Sequence, residues 1–130
     1  MLVIGLTGGI ASGKSTISSL LKDKGAAIID ADKIAREILM PGMTAWVQTV
    51  KHFGEGILKN KREIDREKLA RIVFSDKKQL AYLNSFTHPE ILKEIKKQLR
   101  CYKKIGEKIT VLDAALLLEL NLNSIVDEVW

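Results

Sequence analysis

The fold of this protein is decided by residues 2–16, which read LVIGLTGGIASGKST. Residues 8–15 match the pattern G-x-x-x-x-G-K-[ST] in full. The apolar run at residues 2–6 precedes this motif and is typical of a buried parallel strand. Beyond the motif, Ile17 and Leu21 lie one helical turn apart, as on the apolar face of a helix. Strand, glycine-rich loop and helix together predict a P-loop, a binding site for the phosphates of a nucleoside triphosphate.

The chemistry of phosphate binding explains this spacing. Glycines allow the backbone to turn its N–H groups inward around a phosphate, and the positive end of the following helix points to the same place. Lys14 is expected to reach the β- and γ-phosphate oxygens of ATP, and the Ser15 hydroxyl is expected to ligate Mg²⁺ as cofactor. The predicted nucleotide-binding residues are Gly9, Ala11, Ser12, Gly13, Lys14, Ser15 and Thr16.

Further apolar runs extend this beginning into an α/β fold. Gly25 ends the first helix, and residues 26–29 form a second apolar run that closes on aspartates. A third run, residues 109–112, ends at Asp113, and residues 126–130 open a fourth. Alternating strands and helices favour right-handed βαβ units and a parallel sheet. We therefore expect a P-loop NTPase-type, three-layer α/β/α fold.

The chain between the second and third strands is predicted to be helical. Helices are expected over residues 33–39 and 45–53, followed by a polar loop at residues 59–62. We interpret residues 45–104 as a helical insertion over the top of the sheet. The whole chain, residues 1–130, is then a single P-loop kinase domain that contains this insertion.

Polar residues and one proline mark where further helices begin. Asp65 is expected to cap one helix, and either Ser75 or Asp76 to begin the next. Pro89 suits the first position of a last helix, because the N–H group that proline lacks is not used there. One face of that last helix carries Ile91, Ile95, Leu99 and Tyr102.

Two aspartates follow the second strand, at the edge where a parallel sheet faces its ligand crevice. Asp32 is predicted either to position and deprotonate an attacking hydroxyl or to cap the next helix. The same alternatives apply to Asp30, and the two side chains share one orientation if the strand continues through both. Arg36, one helical turn beyond Asp32, either pairs with that carboxylate or binds a substrate phosphate.

The charge balance suits a small polyanionic partner. The 130 residues carry a formal net charge of +5, and no apolar run approaches the ~20 residues that cross a bilayer. Much of the excess lies on one predicted helix, where a solvated face is the simplest interpretation and attraction of phosphates is the alternative. Aromatic residues do not interleave there, so we expect neither nucleic acid nor a membrane as partner. The basic residues of that helix are Lys93, Lys96, Lys97, Arg100, Lys103 and Lys104.

A single cysteine, Cys101, excludes a disulfide within these residues and a cysteine-based zinc site. No catalytic motif surrounds it, so it is interpreted as a packing or surface thiol. The amino terminus has no basic region of the kind that begins a signal peptide. Together these observations predict a cytoplasmic protein, and they leave its oligomeric state open.

Several segments together resemble the dephospho-coenzyme A kinase family. The most specific segment is IIDADKIARE at residues 28–37, which accompanies GLTGGIASGKST at residues 5–16. The resemblance extends over the whole chain, with departures at Ala115, where the family usually has proline, and at Leu118, where phenylalanine is frequent. Further matching segments are PG at 41–42, IDREKLARIVF at 64–74, HPEI at 88–91, VLDAALLLE at 111–119 and VDEVW at 126–130.

The resemblance implies an enzyme that transfers a phosphoryl group from ATP to the ribose 3′-hydroxyl of dephospho-CoA, the last step of coenzyme A synthesis. It implies that Asp32 is the catalytic base and that Lys14 contributes to catalysis. Asp113 ends a strand where many P-loop proteins hold a carboxylate near Mg²⁺, so it joins Ser15 as a metal-site residue. By spacing alone His88 is more often a structural residue. The expected acceptor-binding residues are Thr7, Asp32, Arg36, His88, Leu116 and Leu117.

Chains of the resembled family continue well past the position of Trp130. They add a basic lid, a fifth strand and an adenine-contacting loop, so the final strands are expected to be missing here and the chain to be a fragment or truncated. We expect such a chain to bind nucleotide weakly and to turn over poorly. The resemblance also implies that the second strand pairs with one side of the first strand, and the fourth and fifth strands with the other.

Three other functions fit parts of the sequence. A non-catalytic nucleotide-binding module accounts for the P-loop alone. A P-loop kinase for another small acceptor accounts for the P-loop with a carboxylate, but the segment at residues 28–37 argues against it. A GTPase switch is disfavoured because the sequence has no N-K-x-D segment for guanine recognition.

Overall fold

A computed structural model describes residues 1–6, 22–114 and 124–129 of the chain. Its larger sheet has four strands, all of which run parallel to their neighbours. This arrangement confirms the expected α/β class. In chain order the strands of the structure are β1 (Leu2–Leu6), β2 (Ala27–Asp30), β3 (Leu58–Lys59), β4 (Glu63–Ile64), β5 (Ile109–Asp113) and β6 (Glu128–Val129).

The order of strands in the sheet is β2-β5-β1-β6. It corrects the expectation that the second strand pairs with the first, because β5 lies between them, with Val111 opposite both Ile4 and Ile28. Residues 110–112 of β5 are fully buried, whereas Ile29 is the one buried residue of β2. An inner strand of a parallel sheet needs cover on both faces, so the more completely buried run takes the inner position. The fourth strand, β6, lies on the other side of β1, as expected.

Asp127 holds β6 beside β1. Its backbone N–H donates to the carbonyl oxygen of Val3 at 2.7 Å. Its side-chain Oδ2 accepts from the N–H of Val3, also at 2.7 Å. One residue therefore satisfies both backbone groups of Val3, and the pairs Ile4–Glu128 and Gly5–Val129 follow in register. The Asp127 carboxylate thus accepts the hydrogen bond that a backbone carbonyl of β6 would accept if the strand were one residue longer.

The α-helices in the described part of the chain bear out the expected helical middle, with somewhat different limits. A short 3₁₀ helix, Glu55–Ile57, follows the second of them. None of the described helices is both long and apolar enough to cross a membrane. The helices are α1 (Ala31–Glu37), α2 (Thr44–Phe53), α3 (Arg66–Ser75) and α4 (Lys77–Lys104).

The polar loop expected at residues 59–62 is the tip of a β-hairpin. Strands β3 and β4 pair antiparallel, with Leu58 opposite Ile64. Asn60 and Lys61 both have a positive φ, 54° and 60°, and the N–H of Arg62 donates to the carbonyl of Lys59 at 3.2 Å. Two successive left-handed residues make the type of turn that matches strand twist. Strands of two residues are too short for an alternating pattern to predict them.

The helix caps of α3 and α4 are aspartates. Asp65 accepts hydrogen bonds from the N–H groups of Glu67 and Lys68, at 3.1 and 3.3 Å, which confirms its expected role. Asp76, rather than Ser75, begins α4, and its Oδ1 accepts from the N–H of Lys78 at 2.9 Å. Each cap satisfies backbone donors that the first turn of a helix leaves without partners.

Pro89 lies inside α4, so the expectation that it begins a helix is wrong. A proline in a helix interior removes one hydrogen bond and costs about 3 kcal/mol. Here an uninterrupted apolar row outweighs that cost: Leu83, Thr87, Ile91 and Ile95 follow one another at intervals of four residues, and the last three are buried. Burial along the whole row favours one continuous helix over two helices.

The chain divides into two compact units. One comprises Met1–Ile34 with Leu92–Trp130 and contains the parallel sheet, with Ile4, Leu6 and Val111 in its core. The other, Ala35–Ile91, contains α2, α3 and the hairpin. Its core consists of Ile57, Ile64, Leu69 and Val73, with Leu39, Trp46, Phe53, Leu58, Leu80 and Leu83 packed against them.

Thr49 in α2 is predicted to be a destabilising residue. It is 0 % exposed, and its hydroxyl has no hydrogen-bond partner among the residues that the structure describes. Valine has nearly the same shape without the desolvated hydroxyl, so Thr49→Val should raise the free energy of unfolding by about 1 kcal/mol. Urea denaturation of the purified protein measures this change.

Thr87→Val is the matched control for that experiment. Thr87 is also buried, but its hydroxyl donates to the carbonyl of Leu83 at 3.1 Å. We expect the free energy of unfolding of this variant to be unchanged or lower by about 1 kcal/mol. An equal gain in both variants, or a loss at Thr49, would contradict the prediction.

Candidate active site

The carboxyl edge of the sheet brings together the ends of three strands. Asp113 at the end of β5 is in register with Leu6 on one side and with Asp30 on the other. The N–H of Ala114 donates to the carbonyl of Leu6 at 3.1 Å, which ties the exit of β5 to the exit of β1. Neighbouring strands lie about 4.8 Å apart. Two carboxylate residues therefore lie next to each other at the edge where β1 ends at Leu6, two residues before the glycine-rich motif of the sequence begins.

Asp30 is the cap of α1. Its Oδ1 accepts from the N–H of Asp32 at 3.0 Å and from the N–H of Lys33 at 3.2 Å. The two aspartates do not share an orientation, because the extended chain ends at Asp30 and the helix begins at Ala31. Of the two roles that the sequence left open for Asp30, the structure shows the helix cap, because its carboxylate accepts hydrogen bonds from the backbone.

Asp32 lies in the first turn of α1, with an exposed side chain. Its own N–H is bound by Asp30, so its carboxylate is not needed as a cap. A carboxylate in the first turn also interacts favourably with the positive end of the helix. The residue therefore presents an anionic oxygen close to the carboxyl edge of the sheet, where it can accept a proton or a hydrogen bond.

Arg36 lies in the last turn of α1 and is exposed. It forms no ion pair with any residue of the described ranges, where the ion pairs are Lys59–Glu63 and Arg71–Glu67. Of the two roles open to it from the sequence, pairing with Asp32 is therefore not seen. A guanidinium without a carboxylate partner is suited to bind a phosphate.

Asp113 ends β5 at the carboxyl edge of the sheet. It is half-buried, and its Oδ1 atom is shielded from solvent. In residues 1–6, 22–114 and 124–129 there is no group of three or more His, Cys, Asp or Glu side chains that could hold a metal ion. Mg²⁺ does not need one, because it keeps several waters and takes phosphate oxygens beside one or two protein ligands. A single carboxylate with a hydroxyl fits that ion.

His88 belongs to the unit Ala35–Ile91, where it lies in α4 next to buried Thr87 and is itself half-buried. The remaining predicted site residues lie outside the described part of the chain. They are Thr7, Gly9, Ala11, Ser12, Gly13, Lys14, Ser15, Thr16, Leu116 and Leu117.

Reasoning from the sequence did not anticipate that Asp30 and Asp113 lie on adjacent strands. The two residues share a signal, since each ends an apolar run at the carboxyl edge of a parallel sheet. Their adjacency depends on the strand order, which the expectation had placed differently. With β5 between β1 and β2, Asp30 and Asp113 necessarily end neighbouring strands.

The parallel sheet has a P-loop sequence after β1 and carboxylates at the ends of β2 and β5. These features are typical of the P-loop NTPase-type α/β fold. The family model described as "Dephospho-CoA kinase" matches residues 2–130. The chain belongs to the dephospho-CoA kinase family.

Known relatives agree with this membership. A curated dephospho-CoA kinase of Carboxydothermus hydrogenoformans is 52% identical over 128 residues, which is 98% of this chain and 62% of that protein. The crystal structure of TT1252 from Thermus thermophilus superposes with a TM-score of 0.80 at 29% identity, over 98% of this chain and 63% of the other. For dephospho-CoA kinase from Campylobacter jejuni the TM-score is 0.68 at 33% identity, over 84% and 55% of the two chains. This chain thus spans less than two thirds of the length of these relatives.

The cap geometry yields a prediction about stability. Asp30→Ala removes the acceptor for two N–H groups at the start of α1 and should lower the free energy of unfolding by about 1 kcal/mol. Asp32→Ala removes no such bond and should change it by less than half as much. Chemical denaturation of the two variants side by side measures the difference. A larger loss in Asp32→Ala would show that the cap has been assigned to the wrong aspartate.

Proposed function

We propose that this protein transfers the γ-phosphoryl group of ATP to the ribose 3′-hydroxyl of dephospho-CoA and so forms coenzyme A. The observation that supports this most strongly is the carboxyl edge of the sheet. There Asp113 is in register with both Leu6 and Asp30, and α1 carries Asp32 in its first turn immediately beyond Asp30. In the sequence the P-loop motif follows Leu6, from Gly8 onward. Membership of the dephospho-CoA kinase family supports the same acceptor.

Asp32 is the proposed base and positioning group of the reaction. Its exposed carboxylate accepts the hydrogen bond of the 3′-hydroxyl and then its proton, as the hydroxyl oxygen bonds to the γ-phosphorus and the bond to the β-phosphate oxygen breaks. The products are ADP, coenzyme A and a protonated carboxyl group that returns its proton to solvent. Asp30 supports this role indirectly, because its cap fixes the first turn of α1.

Cations balance the charge of the phosphoryl group in transfer. Lys14 is proposed to bind the β- and γ-phosphate oxygens, together with the backbone of Gly9, Ala11, Ser12, Gly13, Ser15 and Thr16. Ser15 and Asp113 would hold Mg²⁺, which neutralises phosphate charge when bound. Arg36, which has no ion-pair partner among described residues, is proposed to bind a phosphate of the acceptor.

Residues 45–104 are proposed to be a helical, acceptor-binding insertion, in which His88 is the residue that binds the acceptor. Leu116, Leu117 and Thr7 complete that proposed acceptor site. The chemistry requires no second protein, nucleic acid or membrane, and we propose that the enzyme acts in the cytoplasm, where its single cysteine stays reduced.

The first test is acceptor-dependent turnover of ATP, with Lys14→Ala as the variant. Turnover by residues 1–130 is expected to be slow, but the purified protein should form ADP with dephospho-CoA present and not without it. Mass spectrometry should identify coenzyme A as the product. Loss of a charged contact to the transferring group should lower the rate by roughly 10²- to 10³-fold in Lys14→Ala. ADP formation that is equal with and without dephospho-CoA, or near-normal turnover in the variant, would refute the proposed function.

Asp32→Asn should leave ATP binding largely unchanged and lower turnover by roughly 10²- to 10⁴-fold, because the amide cannot accept the hydroxyl proton. Turnover is measured as above, and ATP binding by calorimetry. Asp30→Asn is the matched control, since asparagine also caps helices well and should keep most of the activity. A severe loss in Asp30→Asn with none in Asp32→Asn would assign the chemistry to the other aspartate.

A further inference from the structure

Six basic side chains lie along one face of the second half of α4. They follow one another at intervals of three and four residues or are adjacent, which places them within an arc of about 120° around the helix. All six are exposed, and they lie on the same unit as the parallel sheet. This basic face consists of Lys93, Lys96, Lys97, Arg100, Lys103 and Lys104.

The basic face has no acidic partners in the part of the chain that the structure describes. The ion pairs there are Lys59–Glu63 and Arg71–Glu67, both on the other unit. Glu94 is the one acidic residue of α4 in this stretch, and it accepts a hydrogen bond from Gln98. The charge of the face is therefore not neutralised locally.

Helix stability accounts for only the end of this face. Lys103 and Lys104 lie in the last turn of α4, where a cation interacts favourably with the negative end of the helix. The other four cations lie further from that end, and at intervals of three and four residues like charges repel each other. Repulsion among these four cations lowers the stability of α4, so helix stability does not explain why they lie on one face.

The basic face contains the entire positive excess of the chain. The formal net charge is +5 and the face contributes +6, so the remaining residues sum to −1. The carboxyl edge of the sheet meanwhile carries the carboxylates of Asp30, Asp32 and Asp113. The cations and carboxylates outside the basic face balance to within one charge, so the positive potential that draws an anionic ligand towards the protein comes mainly from α4.

We propose that the basic face of α4 is a collecting surface for anionic nucleotides, which accelerates their association with the phosphate site. The proposal rests on the proposed function, since the ligands are ATP and dephospho-CoA, both of which carry several negative charges. Such a field extends over about 8 Å at physiological ionic strength and can raise association rates by roughly 10- to 10³-fold. The basic face then affects how fast substrates arrive and leaves the chemical step unchanged.

The test compares two variants with the same change in net charge. The first carries Lys93→Gln, Lys96→Gln, Lys97→Gln and Arg100→Gln, and it keeps the two lysines of the last turn. The matched control neutralises four exposed cations of the other unit, three lysines and one arginine as before: Lys61→Gln, Arg66→Gln, Lys68→Gln and Lys78→Gln. Circular dichroism and thermal melting confirm that both variants fold.

Stopped-flow fluorescence with N-methylanthraniloyl-ATP gives the association rate constant, and steady-state kinetics gives kcat and kcat/KM for dephospho-CoA. At low ionic strength the first variant should associate roughly tenfold more slowly than the wild type, and the difference should shrink as salt screens the field. Its kcat should stay within about twofold. The control variant should lose much less in association rate at the same net charge.

Three results would overturn the proposal. One is an association rate of the wild type that does not respond to salt. Another is an equal loss in both variants, which would trace the effect to net charge alone. The third is unchanged substrate association with lost binding to RNA or to anionic lipid vesicles, which would assign the face to a macromolecular partner. If the wild type binds neither ATP nor dephospho-CoA at any salt concentration, the proposed function fails as well.

Discussion

The pairing of β5 with two strands at once is the interaction on which the rest of the structure depends. Its residues 110–112 are fully buried, and each faces β1 on one side and β2 on the other. A slip by one residue would turn every side chain of β5 to the opposite face of the sheet, so the register is strongly determined. Because the three strands then end at the same level, Leu6, Asp30 and Asp113 form one edge. The geometry of the candidate active site is thus a consequence of how β5 packs.

How much of this fold follows from the sequence depends on the range of the interaction concerned. Local chemistry predicted the apolar runs of β1 and β5 and the cap at Asp65, because each is decided within a few residues. The predicted strand order was wrong, since the order depends on which run is buried most completely when all are present. Pro89 was assigned to a helix start by a local rule, yet α4 continues through it because the row from Leu83 to Ile95, buried in its last three positions, extends across the proline on both sides.

The two aspartates after β2 illustrate the same limit inside the candidate site. Sequence spacing gave Asp30 and Asp32 the same two alternatives, a cap or a reactive carboxylate. The structure separates them because the chain changes from strand to helix at Ala31, which directs the Asp30 carboxylate back to the N–H groups of Asp32 and Lys33. Asp32 then lies in a helical turn that its neighbour has already capped. Its freedom for chemistry is therefore a consequence of the capping by Asp30, and neither residue can be interpreted without the other.

The distribution of charge poses a problem that any phosphotransferase of this design must solve. In the proposed function, carboxylates at the sheet edge accept a proton and hold a metal ion, but they also repel the phosphates of both proposed substrates. Cations placed directly among them would form ion pairs and so neutralise the oxygens on which the chemistry depends. Cations on a separate helix avoid such ion pairs. Their electric field reaches an approaching anion, while the basic side chains stay out of contact with the carboxylates. If the proposed function holds, the basic face of α4 and the exposed carboxylate of Asp32, which belong to the same unit, serve successive stages of one reaction, the arrival of the anion and the transfer of the proton.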